Sequence, residues 1–326
     1  MHFSRLFVVL LLALLPACSR DSGATVPVAT NGEPKLSVVC TTGMIADTVR
    51  GLAGDNVVVT ALMGPGTDPH LYQPTRSDLA AILEADVVFY NGLNLEGRMT
   101  DAFERARDSG KRVVAVAESI DESRLLASAD YVDAHDPHVW MDPVLWLHVV
   151  DAVHDTLVEA CPEEADSFGL RREAYRLWVA DVHAYSQRVL ESVPRESRVL
   201  VTAHDAFHYF GERYGFEVVG IQGISTESEA GVRDIERLVN LLVERDIPAV
   251  FVETTVSDRN INALIEGAAA RGHAVGIGGS LFSDAMGPEG EFTGTYPGML
   301  DHNATTITRA LGGTAPEGGY AGGSGP

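Results

Sequence analysis

Histidines and aspartates recur in four short runs of this 326-residue chain. Gly64-Pro65-Gly66-Thr67-Asp68-Pro69-His70 ends in an imidazole. His135-Asp136-Pro137-His138-Val139-Trp140-Met141-Asp142-Pro143 holds two, and Thr202-Ala203-His204-Asp205 one more. Ser280-Leu281-Phe282-Ser283-Asp284 closes on a carboxylate. Three imidazoles and a carboxylate suit a borderline divalent transition metal such as zinc, manganese or iron. Calcium and magnesium prefer oxygen ligands, so an imidazole-rich set disfavours them. Residue type alone leaves rivals in place. His135 lies three residues before His138 and is an alternative ligand; His208 lies four after His204 and either shares the ion or packs beside Tyr209 on a helix. Asp68, Asp136 and Asp205 are either acceptors for imidazole N–H groups or turn residues, Asp before Pro at 68 and 136 being ordinary turn chemistry. Glu227 and Glu253, near expected strand ends, read as solvated loop carboxylates. His148, His154, His183, His273 and His302 read as structural or exposed. Because His/Asp clusters also build catalytic zinc sites, a zinc-dependent hydrolase is a standing alternative.

Other chemistries lack their signatures. Gly276-Ile277-Gly278-Gly279-Ser280-Leu281 fails the dinucleotide fingerprint at its last position. No Walker loop, Gly-x-Ser-x-Gly elbow, His-Glu-x-x-His or Cys-x-x-Cys occurs. With 46 Asp+Glu against 24 Lys+Arg the formal charge is −22, which repels phosphate backbones, so no nucleic-acid partner is expected. Three cysteines are too few for a disulfide framework or a zinc ribbon. Whether Cys40 and Cys161 pair is left open.

The elements that must position the four runs follow from the apolar pattern. Arg5 precedes the apolar stretch Leu6–Leu15, too short to span a bilayer but suited to an export signal. Leu15-Pro16-Ala17-Cys18 resembles a bacterial lipobox, with Cys18 the lipidated residue of the mature chain. The expected organisation is a signal peptide over 1–17, a flexible tether over 18–34, an N-terminal α/β lobe over 35–162, a linking long helix over 163–193, a C-terminal α/β lobe over 194–312 and a disordered Gly-rich tail over 313–326. Strands are expected at 36–42, 56–62, 87–90 and 112–117, then at 198–202, 217–221, 249–253 and 274–277, with helices between them. Apolar strands alternating with amphipathic helices predict α/β architecture: two lobes, each a mostly parallel sheet flanked by helices, joined by one long rigid helix of about 45 Å. Each of the four runs falls beyond the carboxyl end of a strand, where open α/β sheets present their crevices. Two runs come from each half, so facing sheet edges would bring them to one interlobe cleft.

Several longer stretches carry a resemblance. Thr41-Thr42-Gly43-Met44-Ile45-Ala46-Asp47, Leu62 to Tyr72, Tyr90-Asn91-Gly92-Leu93-Asn94-Leu95-Glu96, the His135–Pro143 run, Val201 to Phe207, Gly223-Ile224-Ser225-Thr226-Glu227 and Leu281-Phe282-Ser283-Asp284-Ala285-Met286-Gly287 resemble the metal-binding lipoproteins of bacterial ABC importers, the TroA-like zinc/manganese solute-binding proteins. The likeness runs from about 35 to 311. It implies a non-catalytic protein that carries one metal ion between two lobes and delivers it to an ABC permease and its ATPase. By motif it implies the ligands His70, His138, His204 and Asp284. Manganese-importing relatives often have Glu where His204 stands, which leans the cargo toward zinc. The His-rich loop common in dedicated zinc importers is missing, since 71–136 contains one histidine, His135. The resemblance further implies a monomer at the periplasm or cell surface, touching the membrane only through its lipid anchor. A surface adhesin, a role assigned to some relatives, is the remaining alternative.

Overall fold

The computed structural model describes residues 35–128 and 130–324; the expected signal peptide, Cys18 and the whole tether lie outside them. The N-terminal half runs β1 (Leu36–Cys40), α1 (Gly43–Ala53), β2 (Val57–Ala61), α2 (Arg76–Glu84), β3 (Val87–Tyr90), α3 (Thr100–Asp108) and β4 (Arg112–Ala115). Its strands form one parallel sheet in the order β2-β1-β3-β4. Then come two helices in sequence, α4 (Pro143–Ala160) and the 27-residue α5 (Ala165–Glu191). The C-terminal half is β5 (Val199–Thr202), α6 (His208–Tyr214), β6 (Glu217–Gly220), α7 (Val232–Glu244), β7 (Ala249–Glu253), α8 (Arg259–Ala270), β8 (Gly276–Leu281) and α9 (Tyr296–Ala310). Here β5 pairs with β6 and β7 with β8, all parallel, and β5 lies beside β7.

Successive strand residues point to opposite faces, and both faces are covered, as a parallel sheet requires. Val39 and Val88 pack outward against Ile82 and Phe103 of α2 and α3. Val199, Val201 and Val250 likewise meet Leu238, Leu242, Ile261 and Leu264 of α7 and α8. The inward faces behave differently. Val38, Cys40 and Phe89 of one sheet and Leu200, Phe251 and Leu281 of the other belong to a single apolar cluster, filled by α1, α4, α5 and α9. At 1.5 Å per residue α5 spans about 40 Å, and it buries Phe168, Tyr175, Val179, Val182, Tyr185 and Val189. It packs on α1 and α4 at one end and on α9 and α6 at the other, so it is the molecule's spine, with Leu170 and Leu177 exposed on its outer face.

Three stretches differ from the pattern-based expectation. Helix α4 was not anticipated, although Asp142 caps it and Pro143 occupies its first turn, a helix-start signature. The last strand is displaced from 274–277 to Gly276–Leu281. The tail expected to be disordered is packed over 313–320. Thr314 N donates to Ser192 Oγ at 2.7 Å, Tyr320 N donates to Asp301 Oδ1 at 2.8 Å, and the Tyr320 ring meets Tyr185 at 5.9 Å. Glycine serves close approach here: Gly319 has φ +64°, and a Cβ on it would sit 2.6 Å from Asp301 Oδ1. Cys40 is buried and Cys161 partly so, and both are free thiols.

Candidate metal centre

The four runs meet. His70 follows β2, His138 lies in the loop between β4 and α4, His204 is two residues past β5, and Asp284 three past β8. One ligand-capable atom from each of His70, His138, His204 and Asp284 lies within 4.8 Å of every other. His70 Nε2 is 3.2 Å from His138 Nε2 and 3.7 Å from Asp284 Oδ2. His138 Nε2 is 3.4 Å from Asp284 Oδ1, and His204 Nε2 is 3.2 Å from Asp284 Oδ2. All four residues are buried; His70 alone keeps some exposure, 6%, against 0% for the other two imidazoles and 2% for Asp284.

Two of the imidazoles are held from behind. Asp136 Oδ1 accepts both His138 N–H, at 2.9 Å, and His138 Nδ1–H, at 2.7 Å. Glu253, the last residue of β7 and 5% exposed, does the same for His204, accepting its backbone N–H at 2.9 Å and its Nδ1–H at 2.5 Å. With Nδ1 committed to a carboxylate, the Nε2 of each ring faces the centre. Asp68 acts as a turn residue, accepting His70 N–H at 2.8 Å. Between the halves, Trp140 Nε1 donates to Ser283 O at 2.8 Å, and Tyr296 OH donates to Trp140 O at 2.8 Å, which sets the His138 loop against the Asp284 loop. Asn91 Nδ2 donates to Pro137 O at 3.0 Å, and buried Glu96 accepts from Asn91 N at 2.7 Å and Thr41 Oγ1 at 2.6 Å.

The electrostatics are those of an anionic pocket wanting a cation. Burial works against ionisation of Asp284, yet the charge of His204 beside it holds the carboxyl well below its usual range. Burial likewise opposes protonation of His204, but the Glu253 and Asp284 carboxylates push its pKa well above the usual imidazole value. His70 is pushed down to about 3 by burial. Asp136 is held well below the carboxylate range, the His138 ring overcoming the cost of burial. Among the described residues His204 Nε2 and both Asp284 oxygens are nevertheless without a hydrogen-bond partner. Buried polar atoms left this way are rare and costly.

The rival residues fall elsewhere. His135 Nε2 lies 3.4 Å from Glu122 Oε1 and joins an antiparallel bridge with Ala127. His208 turns Nε2 toward Asp205 Oδ1 at 3.1 Å and Nδ1 toward Asp136 Oδ2 at 3.6 Å, standing behind the centre. Burial pushes Asp205 up to about 6. Glu227 pairs with Arg98 at 3.0 Å. The reading of Glu253 as a solvated loop carboxylate is corrected: it is a buried strand-end residue gripping His204. Its position at the end of an apolar strand, where the alternation stops, offered the only signal. The parts played by Trp140 and Glu96 also went unread. His183, His273 and His302 are structural, turned to Tyr214 OH, Ile247 O and Ser280 O respectively.

Residues 38–310 match the family described as "Zinc-uptake complex component A periplasmic". The chain is 45% identical over 297 residues to the manganese-binding lipoprotein MntA of Bacillus subtilis, covering 91% of this chain and 95% of that one. It is 45% identical over 303 residues to the zinc-binding protein TroA of Treponema pallidum, covering 93% and 96%. The solved structure of that periplasmic zinc-binding protein superposes with a TM-score of 0.83 at 46% identity, over 85% of this chain and 99% of the other. The metal ABC transporter substrate-binding lipoprotein FimA of Streptococcus parasanguinis is 29% identical over 311 residues, covering 94% and 96%.

Proposed function

The chain belongs to the zinc-uptake complex component A family, and from that premise we propose that it captures a divalent transition metal and hands it to the permease of an ABC importer, with His70, His138, His204 and Asp284 as the ligands. The family is one of solute-binding proteins for metal uptake, so the chain is not an enzyme, and the hydrolase alternative is set aside. The observation that carries the ligand assignment is the set of buried donors within 4.8 Å of one another, with His204 Nε2 and both Asp284 oxygens unpartnered among the described residues. A tetrahedral ion with bonds of about 2.0–2.2 Å needs donor-to-donor edges of about 3.3–3.6 Å; four of the separations run from 3.2 to 3.7 Å, and every donor lies within 4.8 Å of the others. Four protein ligands with no position kept for water suit a carrier.

The cargo is zinc or manganese; of the two, three imidazoles and one carboxylate favour zinc, since nitrogen-rich sites follow the Irving–Williams order. The division into lobes at 162 and 194, and a monomer tethered through Cys18 at the periplasmic or outer surface, complete the proposal. Relatives named as lipoproteins support the tether, and no helix among the described residues is long and apolar enough to cross a membrane. The test is elemental analysis of protein purified without added metal, followed by zinc–manganese competition. One equivalent of metal is expected, with zinc displacing manganese and binding lost in His204→Ala. Metal-free protein that takes up neither ion would end the proposal; manganese winning the competition would end the zinc assignment alone.

A further inference from the structure

The Gly223–Glu227 segment supplies none of the four ligands, yet it is tied to the N-terminal half and its following loop at three points. Ile224 N donates to Asp130 Oδ2 at 2.6 Å. Thr226 Oγ1 donates to Asp68 Oδ2 at 2.6 Å. Glu227 Oε1 accepts from Arg98 Nε at 3.1 Å and lies 3.0 Å from its Nη2. The partners of the last two ties also hold the chain on either side of His70. Asp68 accepts the His70 N–H, and Arg98 Nη1 donates to Leu71 O at 3.2 Å. The first tie requires glycine, because a Cβ on Gly223 would lie 2.2 Å from Asp130 Oδ2.

Two cavities reach the quartet. One of about 340 Å³ is lined by His70, with Ile224, Ser225 and Glu227 on one side and Arg98 and Asn94 on the other. The second, of about 80 Å³, is lined by Asp284, Met63 and Met286, and the Arg50–Glu289 pair at 3.4 Å stands at it. The first cavity is the roomier of the two. His70 is also the most exposed of the four, so the path to solvent runs past it.

We propose that Gly223–Glu227 is a strap over the His70 side of the centre, and that its ties to Asp68, Arg98 and Asp130 set the rate at which the ion enters and leaves. This rests on the metal-capture reading. Loosening the strap opens the path in both directions, so exchange speeds up more than affinity changes. The full chain is loaded with zinc and mixed in a stopped-flow with excess chromophoric chelator, and zinc affinity is measured separately by competition. In Arg98→Ala and Glu227→Gln, release is expected to accelerate about 3- to 5-fold, the scale of an exposed pair. In Thr226→Val it is expected to accelerate about 10-fold or more, because a hydrogen bond to a charged group is lost. Association should rise with release, the swapped pair R98E/E227R should recover part of the loss, and Glu289→Gln should leave the rates unchanged. Unchanged release in both Thr226→Val and Arg98→Ala, with zinc still bound one-to-one, overturns the strap. So does equal acceleration in Glu289→Gln, which would mean general loosening of the cleft. Wild-type protein that binds no metal overturns the capture reading itself, a result told apart by stoichiometry before any rate is read.

Discussion

A proton and an ion would compete for one imidazole of the centre. His204, pressed between Glu253 and Asp284, keeps its charge above the usual imidazole range, whereas burial keeps His70 neutral down to about pH 3. An ion held as proposed would need the His204 Nε2 lone pair and would have to displace that proton. Loading near pH 7 should therefore release about one proton per ion, and affinity should rise about tenfold per pH unit while His204 titrates. Calorimetry in buffers of different ionisation enthalpy checks this; zero proton release would contradict it. Glu253→Ala leaves the buried His204 N–H and Nδ1 without an acceptor, and should weaken metal binding about 10- to 100-fold while reducing the proton released. At this scale the convergence of His70, His138, His204 and Asp284 was legible, because each follows a strand and open α/β sheets gather strand ends. Glu253 was not, since burial of a strand-end carboxylate depends on what the neighbouring loop brings to it, here His204 itself. Asp136 was half legible: the turn signal was plain, but its grip on His138 comes from the loop's closure.

Among the elements, α4 shows how one residue joins local and tertiary order. Asp142 caps the helix, accepting from Val144 N at 2.8 Å, and its two oxygens also receive Arg213 of α6 at 2.8 and 2.6 Å. Asp142→Ala should therefore cost about 1–2 kcal/mol for the cap and leave Arg213 without its partner, lowering the melting temperature by several degrees. A melting temperature within error of wild type would contradict this. Gly319→Ala should destabilise by about 1 kcal/mol or more, because alanine disfavours positive φ and its methyl would press on Asp301. Chemical denaturation measures it. Pattern reading recovered the alternation of strands and helices in both halves because apolar runs and caps are local signals. It missed α4, although Leu145, Trp146, Val149, Val150 and Val153 recur at helical spacing on one buried face. It misjudged the tail because composition cannot distinguish glycine used for flexibility from glycine used for close packing.

At the scale of the whole chain, the inward faces of both sheets and the four helices between them form a single apolar body. Wide hinge closure would have to open that body, so motion on loading should stay with loops such as the strap. Scattering profiles of metal-free and loaded protein are expected to superimpose, and a clear change in radius of gyration would contradict it. The shared interior also has a consequence for how the molecule comes apart. The largest apolar cluster is shared by both halves, so heating should give one calorimetric peak, with no step for a surviving half. An ion gripped by residues from both halves would then raise that peak as a unit, by mass action on the native state. The cargo would thereby protect the carrier from end to end until the moment of hand-over.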